Sequence, residues 1–164
     1  MNGREFYPGI IDRVKKYGQF IAANSDIHKA TANEYRLTGV DQPMTLIFAK
    51  DNSLEALKEA LVEDRTLAYC YNTLCGDEQL LKDFFVAGMK VKVIRENHKN
   101  VEVALTNMTS IPYIACQKGH NQKRLSPFCT IKLTVGKKAS ALEFAVLNMF
   151  CSKDGHPVVE LPFR

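Results

Sequence analysis

The sequence predicts a mixed fold, in which an α/β segment at residues 1–88 is followed by a β-rich domain at residues 89–164. Before residue 88, apolar residues recur at helical spacing or in short buried runs, whereas alternation with period two dominates after it. Helices alternating with buried strands indicate an α/β fold, and short alternating strands indicate an antiparallel sheet or small sandwich. The 164 residues suffice for one ordinary domain or two small ones.

The α/β segment begins with a predicted helix at residues 7–18. Pro8 suits its first turn and Gly18 its C-terminal end, while Ile10, Ile11, Val14 and Tyr17 form one apolar face. A buried parallel strand is predicted next, at residues 20–23. Four further elements are predicted in order: a strand at 43–49, a helix, a strand at 65–71 and a second helix at 77–88. The first of these helices is capped by Ser53 and has one apolar face, formed by Leu54, Leu57, Ala60 and Leu61.

The β-rich domain is predicted from alternation and from turn signals. Lys90–Arg95 and Val101–Thr106 alternate with period two, and Asn97 to Asn100 supply a turn between them. Other strand-like segments lie at 128–135, 142–147 and 158–163.

Composition and overall charge do not indicate several other classes of protein. The net charge of +4, from 22 basic and 18 acidic residues, is too small to indicate a nucleic-acid-binding protein. Five cysteines without C-x-x-C spacing are typical of free buried thiols in a reducing compartment. No apolar run is long enough for a membrane helix and the N-terminus lacks a signal peptide, so the sequence predicts a cytoplasmic protein if Met1 is the true start.

Asp26 and His28 are the candidate site residues, at the polar tip of the strand at 20–23. In extended backbone, residues two apart point to the same side, which places one carboxylate beside one imidazole. These are ligand types for Zn, Mn or Fe. The alternative is an Asx-type turn in which Asn24, Ser25 and Asp26 bond the local backbone.

Other candidate chemistry is weak. His98, His120 and His156 lie in polar, turn-like segments and are interpreted as surface histidines. The sequence contains no H-x-H, H-E-x-x-H, Gly-rich phosphate loop or G-x-S-x-G motif. The polar stretch at 29–42 either covers a site or is a solvated connector.

The order of motifs resembles the final segment of a PHP domain, the polymerase and histidinol phosphatase superfamily of metal-dependent phosphoesterases. The match is to a bacterial, phosphodiesterase-like branch with a β-rich tail, and it covers residues 5–90 best. The residues that carry it are Ala23–His28, Met44–Lys50, Ser53–Leu61 and Arg65–Tyr69.

The resemblance implies the last βα units of a distorted (β/α)7 barrel, followed by a small antiparallel sheet or sandwich. It implies divalent metals (Mn, Zn or Fe) at the strand ends, which generate hydroxide for hydrolysis of phosphate mono- or diesters. By this resemblance, Asp26 matches a metal ligand that also accepts a hydrogen bond from the metal-bound water, and His28 matches a ligand to a second metal.

The sequence departs from the family pattern because the opening H-x-H and the intermediate Glu and His ligands have no counterpart in it. It therefore resembles a C-terminal fragment that is inactive alone, has weak or no metal affinity, and needs a missing N-terminal barrel segment as partner. The alternative is a non-catalytic structural or protein-interaction module. Open strand edges make self-association plausible under both readings, and no membrane partner is predicted.

Overall fold

The computed structural model describes residues 7–28, 35, 41–117 and 121–164. These residues form two compact units: the described residues within Met1–Leu81 and Asn148–His156, and those within Lys82–Leu147 and Pro157–Arg164. The division falls at residue 81 rather than 88, and a late segment returns to the first unit. No helix among the described residues is long and apolar enough to cross a membrane.

The first unit contains most of the helices and confirms the predicted helix positions. Helix α1 (Ile10–Tyr17) ends at Gly18, whose φ of 59° is left-handed, and the Gly18 and Gln19 amides donate to carbonyls of the last turn. Helix α2 (Leu54–Val62) begins at Ser53, whose side chain accepts a hydrogen bond from the Ala56 amide at 3.1 Å. Helix α3 (Glu78–Ala87) begins in this unit and ends in the other.

One predicted detail of α2 is wrong. Leu54 is 60% exposed, and the buried residues of the helix are Ala56 and Ala60. The helix therefore packs through its small residues, because they allow its backbone to approach the neighbouring structure closely.

The first unit has one four-stranded sheet in the order β1-β2-β3-β10. Its strands are β1 (Met44–Ile47), β2 (Thr66–Cys70), β3 (Thr73–Gly76) and β10 (Met149–Phe150). Strands β1 and β2 are antiparallel, although α2 lies between them in sequence, and so are β2 and β3. Only β10 is parallel to its neighbour β3.

This topology does not confirm the predicted end of a (β/α)7 barrel, because the described sheets are not a barrel. A barrel of that kind requires parallel strands joined by crossover helices. The segment at 20–23, predicted as a buried parallel strand, forms no regular strand, and the only bridge near it is at Asn24. It is held instead by side-chain hydroxyls, since Thr66 Oγ1 donates to the Ile21 carbonyl at 2.9 Å and the Ala23 amide donates to Thr45 Oγ1 at 3.0 Å.

The core of the first unit explains why residues 20–23 alternate in burial. Ile21 and Ala23 are each 2% exposed and pack in one cluster with α1 and the sheet, whereas Phe20 is 46% exposed. The other buried members of this cluster are Ile11, Val14, Ala68 and Cys75.

The second unit is β-rich and contains two antiparallel sheets, as the period-two patterns predict. One has the order β4-β5-β8, with β4 (Met89–Glu96), β5 (Asn100–Asn107) and β8 (Thr130–Gly136). The other has the order β11-β9-β6-β7, with β6 (Tyr113–Cys116), β7 (Gln122–Leu125), β9 (Ala141–Val146) and β11 (Val158–Pro162).

Each of these sheets buries one face. In β5, Val101, Val103 and Leu105 are at most 1% exposed, while the alternate residues face outward. In the second sheet Leu142, Phe144 and Val146 are buried in the same way, and the Phe85 ring of α3 packs edge-on against Tyr113 with ring centroids 4.9 Å apart.

Candidate functional site

The side chains of Asp26 and His28 face each other, as the spacing predicts. Oδ1 of Asp26 lies 3.6 Å from Nε2 of His28, and the two side chains are 55% and 86% exposed. The route to this geometry differs from the prediction, because Asp26 has a left-handed φ of 50° and residues 25–28 form no strand. A local bend, rather than extended backbone, brings the carboxylate to the imidazole.

Neighbouring polar groups lie at the same end of the sheet. Ala23, just before the pair, is bonded to Thr45, and Thr45 pairs with Ala68 in β2. Tyr69 follows Ala68 in β2 and therefore lies at the end of the sheet that the chain reaches as it runs from Ala23 to Asp26. The Tyr69 hydroxyl donates to Oδ1 of Asn72 at 2.8 Å, and Oδ2 of Asp41 lies 3.5 Å from it.

Two further hydrogen bonds stabilise this end of the unit. The Tyr35 hydroxyl donates to the Ser25 carbonyl at 3.4 Å, and the Asn148 side-chain amide donates to the Asn72 carbonyl at 2.6 Å. Sequence reasoning missed Tyr69, Asn72 and Asn148, since none of them belongs to a recognisable motif. Of the polar stretch at 29–42, only Tyr35, Asp41 and Gln42 lie within the described residues, so the choice between a cover and a solvated connector lies outside them.

The donor set for a metal is incomplete. Within residues 7–28, 35, 41–117 and 121–164, no three His, Cys, Asp or Glu side chains are arranged to hold a metal ion. Asp26 and His28 provide one oxygen and one nitrogen donor, which suit a divalent metal, but a catalytic zinc usually has three protein ligands. The pair fits such an ion only as part of a set completed by other ligands.

The other described histidines and the cysteines add no ligand to this pair. The prediction that His156 is a surface histidine is wrong. Its Nδ1 lies 2.9 Å from the Met149 carbonyl oxygen, and its ring packs edge-on against Phe150. His98 is exposed as predicted, and His120 lies outside the described residues. None of the five cysteines, all within the described residues, forms a disulfide, and burial raises the pKa values of the Cys70 and Cys75 thiols, which keeps both neutral.

The first unit also has an open groove of about 570 Å³ beside the segment at 20–23. Phe20, Ala22, Leu61 and Val62 line it, and Val62 is 86% exposed. Asp64 also lines the groove and is its acidic residue. Partial burial and then the charge of Asp77 raise the pKa of Asp64, while the Ile21 amide and Lys15 act in the opposite direction.

Comparison with known proteins relates this chain to a PHP-like protein. No protein-family model and no curated protein matches it. A solved structure does match: the crystal structure of a two-domain protein from Bacteroides vulgatus that contains a predicted PHP-like metal-dependent phosphoesterase. The TM-score is 0.89 at 26% sequence identity, and the match covers 98% of this chain and 50% of the other.

The chain thus spans about half the length of the Bacteroides protein. The likeness supports the PHP-like relation that the sequence motifs indicate, and it does not distinguish one branch of the superfamily from another.

Proposed function

We propose that this chain is the C-terminal part of a metal-dependent phosphoesterase that hydrolyses phosphate mono- or diesters once other ligands complete its metal site. The observation that carries the proposal is the facing pair of Asp26 and His28, 3.6 Å apart, in a chain whose fold matches half of a protein with a PHP-like phosphoesterase. The exposure of both side chains supports it, because further ligands can reach them from outside the described residues.

The chain's own residues would divide the work as follows. When bound, a divalent metal (Mn, Zn or Fe) supplies Lewis-acid activation of the phosphoryl group. Asp26 would hold one such ion through its carboxylate, and His28 would hold a second through its imidazole. The second carboxylate oxygen of Asp26 would accept the proton of the attacking water. Two ligands give low affinity, so the chain alone is expected to bind metal weakly and to be inactive.

The first test measures metal binding by the chain alone. Mn²⁺ is paramagnetic, so NMR signals near its site broaden as it is added. Broadening should centre on residues 24–28 and disappear in the H28Q and D26N variants. The matched controls are H98Q and D154N, which remove exposed side chains of the same types, and broadening should persist in them.

The second test joins the chain to the half of the Bacteroides protein that it does not match. A gain of Mn²⁺- or Zn²⁺-dependent hydrolysis of bis-p-nitrophenyl phosphate, lost again in D26N, is the expected result. A folded chimera with no activity, together with Mn²⁺ broadening spread evenly over the acidic surface, would contradict the proposal.

The second candidate function is a non-catalytic interaction module. The absence of a three-ligand cluster in the described part of the chain favours it, as does the open groove with Phe20 and Val62. The double variant D26A/H28A separates the two functions. It should abolish hydrolysis by the chimera if the chain is catalytic, and should leave the binding of a protein partner unchanged if the chain is a module.

A further inference from the structure

The outward face of the sheet β4-β5-β8 concentrates positive charge. Strand register places Lys92, Ala104 and Lys132 side by side across the three strands. The next row, two residues along, consists of Lys90, Thr106 and Thr130. We name these six residues the cationic face.

The lysines of the cationic face have no acidic partners among the described residues. All three are exposed, and none is in an ion pair of the described structure. The two rows contain no carboxylate, and the nearest on this face is Glu102, which lies opposite Arg95 in the following row. The Thr106 and Thr130 hydroxyls lie 2.7 Å apart, so one donates to the other and the second keeps its O–H free to donate to a phosphate oxygen.

The centre of the cationic face is low and flat. Ala104 is the smallest side chain in either row, and it separates Lys92 from Lys132. The opposite side of the sheet packs in the core through Val103 and Leu133, so the face is held rigid. A ligand lying across Ala104 therefore meets lysines on both sides.

The spacing of the lysines suits a linear polyanion. Residues two apart along a strand are about 6.8 Å apart, and residues two strands apart are about 9.6 Å apart. These separations are about two and three times the roughly 3.4 Å rise per nucleotide of a stacked strand. The face contains no aromatic side chain, so it offers contacts to phosphates and none to stacked bases.

We propose that the cationic face binds the phosphate backbone of single-stranded nucleic acid without regard to base sequence. The proposal goes beyond the phosphoesterase function and does not depend on it, because the face lies in the second unit and needs no metal. Charge complementarity selects the ligand: three unpaired ammonium groups and one free hydroxyl donor are the kinds of group that position nucleic-acid backbones.

Binding is tested by fluorescence anisotropy of a labelled oligothymidylate, with the full chain and with EDTA present. The logarithm of the binding constant should fall with the logarithm of salt concentration with a slope of about −2, since each of the lysines contributes roughly −0.7 on a single strand. The variant K90Q/K92Q/K132Q should bind at least about 30-fold more weakly at about 20 mM salt, because it loses all of these contacts.

The matched control is K58Q/K123Q/K138Q, which makes the same change in net charge at exposed lysines elsewhere. It should keep the affinity within about 3-fold and keep the slope. Failure of the unmodified chain to bind, or an equal loss in both triple variants, overturns the proposal. Binding of heparin but not of oligothymidylate also overturns it, because it assigns the face to sulfated polysaccharides. Hydrolysis by the chimera is unaffected by any of these outcomes, so the two proposals fail independently.

Discussion

At the scale of single residues, Asn107 is the clearest case of a polar side chain that only the tertiary structure explains. It lies at the end of β5 and is 1% exposed. Its amide nitrogen donates to the carbonyls of Ile111 and Leu125 at 2.8 and 3.1 Å, and its oxygen accepts from the amide and hydroxyl of Thr109 at 2.9 and 2.8 Å. One side chain thus satisfies four polar groups where the chain leaves the sheet.

Replacing this residue should destabilise the second unit strongly. Asn107→Ala leaves buried donors and acceptors without partners, and the free energy of unfolding should fall by about 2–4 kcal/mol. Urea denaturation followed by circular dichroism measures the change. Asn52→Ala, at an exposed position, is the control and should change the stability by less than about 0.5 kcal/mol. A loss as small as that of the control would show that water replaces the side chain at no cost.

At the candidate site, too, some residues can be identified from the sequence and others only from the structure. Asp26 and His28 could be selected from the sequence because a carboxylate and an imidazole two residues apart are chemically distinctive. Tyr69 and Asn72 could not, since their hydrogen bond depends on the turn between β2 and β3. That turn has left-handed φ values of 51° at Tyr71 and 60° at Asn72, without a glycine to signal it.

At the scale of elements, the β2–β3 hairpin shows how close backbone packing depends on one glycine. Gly76 lies opposite Leu67 in the register, and both residues are buried. A Cβ atom at position 76 would overlap Cδ2 of Leu67 and lie 3.1 Å from the Thr66 carbonyl oxygen. The φ of Gly76 is not left-handed, so the requirement for glycine is one of space.

Gly76→Ala should therefore lower the free energy of unfolding by about 1–3 kcal/mol, because Leu67 must move within a packed core. Gly136→Ala is the matched control, since nothing lies within 4 Å of a Cβ atom there. Thermal denaturation measures the melting temperature of each variant, and that of Gly76→Ala should be the lower. Equal melting temperatures for the two variants would mean that Leu67 adopts another rotamer freely.

Strand β3 was missed in the sequence, although the helices on either side of the hairpin were predicted correctly. Its four residues, Thr73–Gly76, are too few to show a period, and the turn before it lacks Gly or Pro. Strands β6, β7 and β10 were missed for the same reason of length. The long strands β4, β5 and β8 show several full periods and were predicted close to their observed bounds.

At the scale of the whole molecule, Met149 distinguishes the observed units from the division at residue 88. In β10 it is fully buried and lies opposite Leu74 in β3, so it belongs to the first unit despite its late position in the chain. Lys15 donates to the Cys151 carbonyl at 2.9 Å, which ties the same segment to the end of α1.

Met149→Ala should speed hydrogen exchange in the first unit and leave the second unit protected. Removal of a buried methionine side chain costs about 2–5 kcal/mol, and the loss should appear in the amides of β2 and β3. Leu142→Ala, in the core of β9, is the matched control and should have the opposite effect, with faster exchange in β9 and β11. Faster exchange in β4 and β5 on replacement of Met149 would support the division at residue 88 instead.

Local patterns were enough to predict the helices and the long strands of this chain. The caps at Gly18 and Ser53 and the alternation in β5 are properties of neighbouring residues, and so is the proximity of Asp26 to His28. Strand partners are not local properties. The antiparallel pairing of β1 with β2, the return of β10 to the first sheet and the alignment of Lys92 with Lys132 depend on segments distant in sequence, whose pairing is selected only when their apolar faces are buried together.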